Sequence, residues 1–266
     1  MINEADKQYT IIKIKVTEAN QVFTVKSGYV YWWGEGARID SPKPTNQSHK
    51  YTKVGEYLVY IKGVNRTYTI ANTTSGNKTY STFIIDDSKS KKMIIEVLNF
   101  GNTIQSLYDA FNNCENLVRI PTYTPSSIVD LSFAFTNCPS LKEPIQYVND
   151  SVLHMVQTYN GCSSIKKAYK YPKNLIDIYG CYWECTSLKN APDFPENIEN
   201  GAYVYASCSS IVLPPKINNN CKILKSVLEF CENLIEMPDI PNGVTDIVNA
   251  FKGTAIAETK ILPEGI

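Results

Sequence analysis

Histidine is nearly missing: His49 and His154 are the only two in 266 residues. That leaves little from which to build a histidine-based metal site or a Ser-His-Asp triad. Net charge is missing too, with 26 basic residues against 26 acidic ones. No global field draws nucleic acid or an anionic membrane to such a chain. No apolar run approaches the roughly 18 residues of a membrane-spanning helix, so no membrane span is expected. The sequence also lacks a Gly-rich phosphate loop, a G-x-S-x-G elbow and a paired-carboxylate motif. These absences predict no cofactor, no metal, no catalytic residue and no nucleic-acid partner, and they point away from an enzyme.

What is abundant is apolar surface, tyrosine and cysteine. Apolar residues make up 43% of the chain, with 18 tyrosines and eight cysteines. That suffices for a core and argues against wholesale disorder. The two ends differ in kind. Residues 1–100 carry fourteen Lys and Arg against nine Asp and Glu, and the remainder carries twelve against seventeen. The first part shows short alternating runs: Tyr9 to Thr17, Val22 to Lys26, Tyr29 to Trp33, Tyr57 to Lys62, Thr67 to Ala71, Tyr80 to Ile85 and Met93 to Leu98. In the first of these, Lys13 and Lys15 alternate with Ile12, Ile14 and Val16, the pattern of a half-buried strand. Some seven strands in about 100 residues predict an all-β immunoglobulin-like sandwich.

From about residue 108 the chain repeats. Cys114, Cys138, Cys162, Cys185, Cys208 and Cys231 are spaced 24, 24, 23, 23 and 23 apart, and Thr254 takes the next step. Three residues before each anchor stand Phe111, Phe135, Tyr159, Tyr182, Tyr205, Leu228 and Phe251. Three residues after come Leu117, Leu141, Ile165, Leu188, Ile211 and Leu234. Six further on lies another apolar series, Tyr123, Tyr147, Tyr171, Phe194, Ile217 and Ile240. This period belongs to the leucine-rich-repeat size class of solenoids, in which one unit cannot bury its own face and stacked units form ladders. The Leu-x-x-x-Pro segments, such as Leu117 to Pro121, Leu188 to Pro192 and Leu234 to Pro238, are expected as short parallel strands. The segments with small and aromatic residues are expected as short helical turns. The predicted architecture has two domains: a sandwich over 1–100, then a solenoid of about seven repeats over 101–266.

The units Ala110-Phe-Asn-Asn-Cys-Glu-Asn-Leu117 and Ala134-Phe-Thr-Asn-Cys-Pro-Ser-Leu141, with the closing Ala250-Phe-Lys-Gly-Thr-Ala-Ile256, resemble the BspA-type leucine-rich repeats of bacterial surface proteins. The third unit departs, reading Ile165-Lys-Lys-Ala-Tyr-Lys-Tyr-Pro172 without the early proline. In the amino-terminal part, Trp33-Gly-Glu-Gly36, Ser48-His-Lys-Tyr51 and Val54-Gly-Glu-Tyr57 are similar to the motifs of PKD-type immunoglobulin-like domains, with Glu35 where that family usually has Asp. Together the resemblances imply a non-enzymatic surface protein for adhesion or recognition, extracellular or at the cell surface, with a protein or glycan partner.

The cysteines allow sharper readings: Cys181-x-x-x-Cys185 has metal-like spacing, an even count suits disulfides, and a free thiol can be a nucleophile. Six of them occupy one ladder, and Cys181 and Cys221 fall where other repeats carry small or apolar residues. A ladder of reduced core thiols is favoured, with bridging and metal binding as minor alternatives. His49 has no catalytic partners in sequence and is expected to support a turn. His154 is expected at the surface. Lysines 166, 167, 170 and 173 form a basic patch near Tyr169 and Tyr171, read as a solvated edge.

What remains is surface. Two and five residues beyond each ladder leucine lie Arg119, Glu143, Lys167, Asn190, Leu213 and Glu236, then Thr122, Gln146, Lys170, Asp193, Lys216 and Asp239. These vary in type while the ladders do not, as a recognition face would. Arg119, Thr122, Glu143, Gln146, Lys167, Lys170, Asn190 and Asp193 are the candidate binding residues. A competing reading is a phage virion protein, a fibre or decoration protein, using the same surfaces against host or other virion subunits. Glu4 and Asp6 come too early for a secretory signal, which suits assembly in the cytosol. An open carboxyl-terminal repeat end offers a possible oligomer contact.

Overall fold

The computed structural model describes residues 3–69 and 77–256. Ala71 and the closing Leu262 to Gly265, with the open repeat end expected to make oligomers, lie outside the described residues. After a 3-10 turn at Glu4–Gln8, the strands are β1 Thr10–Val16, β2 Gln21–Val25, β3 Tyr29–Trp32, β4 Gln47–Tyr51, β5 Gly55–Lys62, β6 Val64–Thr69, β7 Asn77–Thr82 and β8 Ile94–Asn99. One short helix, α1 at Ser88–Met93, precedes β8. It starts where the Asp87 carboxylate accepts from the Ser90 amide at 2.8 Å, a side-chain N-cap.

Four strands form an antiparallel sheet in the order β3-β5-β1-β8, and β2-β4 and β6-β7 form separate two-stranded ribbons. β1 is flanked on both sides, and its Ile11, Ile12, Ile14 and Val16 are buried. Lys13 reaches Glu96 at 3.3 Å and Glu56 at 3.6 Å on the neighbouring strands. β4, Gln-Ser-His-Lys-Tyr, was not anticipated because it has no apolar alternation. It is held by register with β2, from Gln21 opposite Tyr51 to Val25 opposite Gln47.

The repeat region corrects the expected fold class. Among the described residues all regular strands precede residue 100, and between Gly101 and Thr254 there is no helix and no strand longer than a single bridge. The molecule is a small sheet-rich fold continued by stacked turns. It is not an immunoglobulin-like sandwich followed by a seven-repeat solenoid with helical turns.

Two physical causes account for the difference. The first is backbone handedness. In every unit the residues five and one before the anchor have positive φ, between 47° and 72°: Asp109 and Asn113, Phe133 and Asn137, Gln157 and Gly161, Gly180 and Glu184, Tyr203 and Ser207, Ser226 and Phe230, Asn249 and Gly253. A right-handed helix cannot pass through left-handed residues. The chain instead aims alternate amides at the next unit. Leu107, Asp109, Phe111 and Asn113 donate to the carbonyls of Asp130, Ser132, Ala134 and Thr136 at 2.8–3.2 Å, and later units repeat the pattern.

The second cause is proline. Pro121, Pro192 and Pro238 have no amide proton, so each Leu-x-x-x-Pro segment lacks one ladder donor. The segments keep isolated bonds between units, such as Lys189 N to Lys166 O at 3.1 Å and Ile235 N to Val212 O at 3.1 Å.

The aromatic residues before the anchors stack from unit to unit. Centroid distances along Phe111, Phe135, Tyr159, Tyr182 and Tyr205 run 5.6, 5.7, 5.2 and 6.0 Å, with planes within 19° of parallel. Phe83, beyond β7, closes this column edge-on against Phe111 at 5.6 Å. On the other side, β8 serves both parts. It pairs with β1, while Val97 N donates to Arg119 O at 2.9 Å and Val118 N to Ile95 O at 3.0 Å. One connected core therefore runs from Ile12 to Ile256.

All eight cysteines are free and buried. Five of them donate to the carbonyl of the stacked aromatic one unit earlier: Cys138 to Phe111, Cys162 to Phe135, Cys185 to Tyr159, Cys208 to Tyr182 and Cys231 to Tyr205, at 3.0–3.2 Å. That bond needs the protonated thiol. Burial supplies it by pushing the pKa up, to about 12 at Cys138 and at Cys231.

Candidate functional site

The candidate binding residues do not form a single patch. Gln146, Lys170, Asn190 and Asp193 line one open cleft of about 1240 Å³. Glu143 and Lys167 flank it through Tyr169, another lining residue. The Tyr169 hydroxyl donates to Glu143 at 2.9 Å, and the Lys167 ammonium lies 4.9 Å from the ring centroid. Arg119 sits at the edge of β8, pairing with Glu96 at 3.0 Å. Burial pushes the Glu96 carboxyl up, but hydrogen bonds from Arg119 and Lys13 outweigh it and leave the group below its ordinary value. Thr122 is exposed outside the cleft, and its carbonyl accepts from Gln146 and Tyr147 amides. The four lysines at 166, 167, 170 and 173 are all exposed.

Pro172, Pro192, Pro195, Phe194 and Tyr171 give the cleft an apolar floor. Tyr171 is buried and its hydroxyl meets that of Tyr205 at 3.1 Å, which in turn donates to Pro192 O at 2.7 Å. The rim is polar and of both signs: Lys170 and Lys173 face Asp150, Asp193 and Glu196. Two of the carboxylates are fixed by the stacking itself. Asp150 accepts from Lys173 N at 2.7 Å, and Asp193 from Lys216 N at 2.8 Å. Asn190 bridges units through both ends of its amide, with Ala168 N at 3.2 Å and Ala168 O at 3.1 Å.

Tyr147 is the residue that sequence reasoning misplaced. Its series was expected to be a buried ladder, and Tyr171, Phe194 and Ile217 are buried. Tyr147 is 73% exposed and Tyr123 53% exposed. The first two units are 24 residues long, and their extra residue falls between this series and the next ladder. It shifts the inward position by one, so Thr124 is buried and Val148 packs against the core instead. The change of period from 24 to 23 was the available signal.

A second set of residues was missed altogether. Eight before the seven anchors stand Ser106, Asp130, His154, Asp177, Asn200, Ile223 and Asp246, with isolated parallel bridges joining the first four to one another and the last three to one another. Against expectation, His154 is buried, at 4% exposure. The side chains serve the backbone: Ser106, Asp130, Asp177 and Asn200 each accept from the amide two residues on. Burial pushes Asp177 up to about 7; the Tyr179 amide opposes the shift, and Asp130 adds to it. Serine, aspartate and histidine do meet in three successive units here. However, the Ser106 hydroxyl donates to Asp130 at 3.0 Å, and all three are buried away from any substrate.

His49 is no turn residue: it sits mid-strand in β4 opposite Phe23, lies against Glu35 at 2.6 Å and stacks on Trp33 at 5.6 Å. Among the described residues no group of three or more His, Cys, Asp or Glu could hold a metal ion. No described helix is long and apolar enough to cross a membrane.

No family model matches the chain, and no curated protein is similar to it in sequence. A crystal structure of a leucine-rich repeat protein from Bacteroides ovatus is similar, with a TM-score of 0.44 and 19% identity. The likeness covers 73% of this chain and 56% of that one. It is a likeness to a protein of leucine-rich-repeat type, and at that TM-score it carries no argument about function.

Proposed function

We propose that this is a non-enzymatic recognition protein, acting in adhesion at an extracellular or cell surface and binding a protein or glycan through the cleft side of its stacked units. The observation that carries the reading is the cleft. Four of the residues singled out for varying between units meet around one concavity of about 1240 Å³, over a floor that includes the buried Tyr171 and Phe194. A floor already packed limits the ordering cost of binding. The BspA-type likeness of the repeats and the PKD-like likeness of the amino-terminal motifs belong to this reading and supply its surface setting.

The test is biolayer interferometry of the full chain against immobilised matrix proteins and glycans, with Gln146→Ala/Lys170→Ala as the variant. Binding that weakens about tenfold or more in the variant supports the reading. Binding unchanged by both substitutions overturns it.

The second reading is a phage virion fibre or decoration protein. Eight unbridged buried thiols suit a protein that folds in a reducing compartment and is released by lysis. Light scattering after size exclusion separates the two: a trimer or larger ring favours the virion protein, a monomer the recognition module.

A further inference from the structure

The cleft has more chemical character than its shape alone. Resting on the recognition reading above, we propose that it binds an uncharged glycan, with sugar rings laid on Tyr147 and Tyr169 and hydroxyls shared among Gln146, Lys170, Asp150 and Asp193.

Three observations select this class. The first is the aromatic surface. Tyr147 presents most of its ring to solvent, and Tyr169 is held in place by Glu143 at its hydroxyl and Lys167 over its face. A ring face is electron-rich, so it attracts the weakly positive C–H groups of a sugar, and a fixed ring loses little entropy on binding. The second is the mixture of charge. Two lysines and three carboxylates share the lining. A polyanion would meet Asp150, Asp193 and Glu196, and a polycation would meet Lys170 and Lys173. A polyol, whose hydroxyls donate and accept, matches both kinds of group. Gln146, Lys170 and Lys173 make no side-chain hydrogen bond or ion pair among the described residues, and Asp150 and Asp193 each engage one carboxylate oxygen only, leaving capacity for a ligand.

The third observation counts against the commonest peptide mode. An extended peptide adds to a sheet edge through its backbone. Here Pro172, Pro192 and Pro195 have no amide proton, and the Lys173 and Lys216 amides are already taken by the carboxylates.

The experiment is calorimetric titration of the full chain with four neutral hexasaccharides (cellohexaose, xylohexaose, maltohexaose and chitohexaose), up to about 5 mM. A heparin hexasaccharide and immobilised fibronectin and collagen serve as comparators. The expected result is binding of at least one neutral hexasaccharide, nearly unchanged between about 0.05 and 0.5 M salt. Tyr147→Ala should weaken it about tenfold or more, Lys170→Ala by several-fold, and Tyr147→Phe should restore most of it. Tyr147 and Lys170 are both exposed, and circular dichroism checks that the variants keep the fold. Neutral glycan binding insensitive to Tyr147→Ala overturns the cleft as its site. Binding to heparin or a matrix protein alone overturns the proposal while leaving the recognition reading standing. Binding to none of these probes overturns both.

Discussion

Asp177→Asn should stabilise the protein, and by an amount that grows with pH. The carboxyl is buried beside His154 and Asp130 in the polar column, and burial raises its pKa from 3.8 to about 7. In the unfolded chain it titrates near the ordinary value. Between those two pKa values the folded state holds a proton that the unfolded state has released. Stability therefore falls as pH rises, by about 1.4 kcal/mol per unit, until the folded group also ionises. About three units of separation put the ceiling near 4 kcal/mol at pH 8, with almost nothing lost at pH 4.

An amide has no proton to lose, and the fold already accepts one here. Asn200 stands at the equivalent place one unit on, accepting from Ala202 N at 2.9 Å as Asp177 accepts from Tyr179 N at 3.1 Å. Urea unfolding of both proteins at pH 4, 6 and 8 measures the effect. The difference should be close to zero at pH 4 and reach about 2–4 kcal/mol in favour of the variant at pH 8. An equal offset at all three values, or a variant less stable at pH 8, would refute the reasoning. The mirror substitution Asn200→Asp should introduce the same pH dependence, weaker because that residue is only half-buried.

Other consequences are simpler. In native buffer near pH 8 a thiol reagent should titrate none of the eight cysteines, and all eight once guanidinium unfolds the chain; fast native labelling would contradict the buried thiol-to-carbonyl ladder. Phe135→Ala breaks the aromatic column at a ring stacked on both sides and should cost about 3–5 kcal/mol in denaturant unfolding. Glu184→Gly should stabilise by up to about 1 kcal/mol, because a non-glycine residue at φ 61° pays a left-handed penalty that glycine avoids; a lower melting temperature would count against that account. Gly161→Ala should do the reverse, since its added Cβ would lie 2.5 Å from Asn137 Oδ1 at φ 72°.

The ladders of large apolar residues were legible before any coordinates. A 23- to 24-residue period repeats the same solvent preference at the same place, and the residues at those places, such as Phe111, Phe135 and Leu117, are buried. The cysteine column was legible for the same reason, since cysteine there alternates with nothing charged. The left-handed positions were half legible. Asn113, Asn137, Gly161 and Gly253 are of types that accept positive φ, but Phe133, Gln157, Tyr203 and Phe230 are not, and no single-residue preference announces them. They adopt it because stacking returns three or four amide bonds per unit, a gain that exists only once neighbouring units are in place.

Burial of charge and shape of surface were decided by tertiary structure in the same way. His154 and Asp177 look like surface residues in the chain, yet each serves a buried column created by bridges between units. Tyr123 and Tyr147 look like ladder members, yet one additional residue per unit turns them to solvent. The cleft arises because Gln146, Lys170, Asn190 and Asp193 come from three successive units, brought side by side by stacking. Sequence determines which residues avoid water and how often they recur. The backbone's need to satisfy its amides across units determines which of the rest end up facing one another.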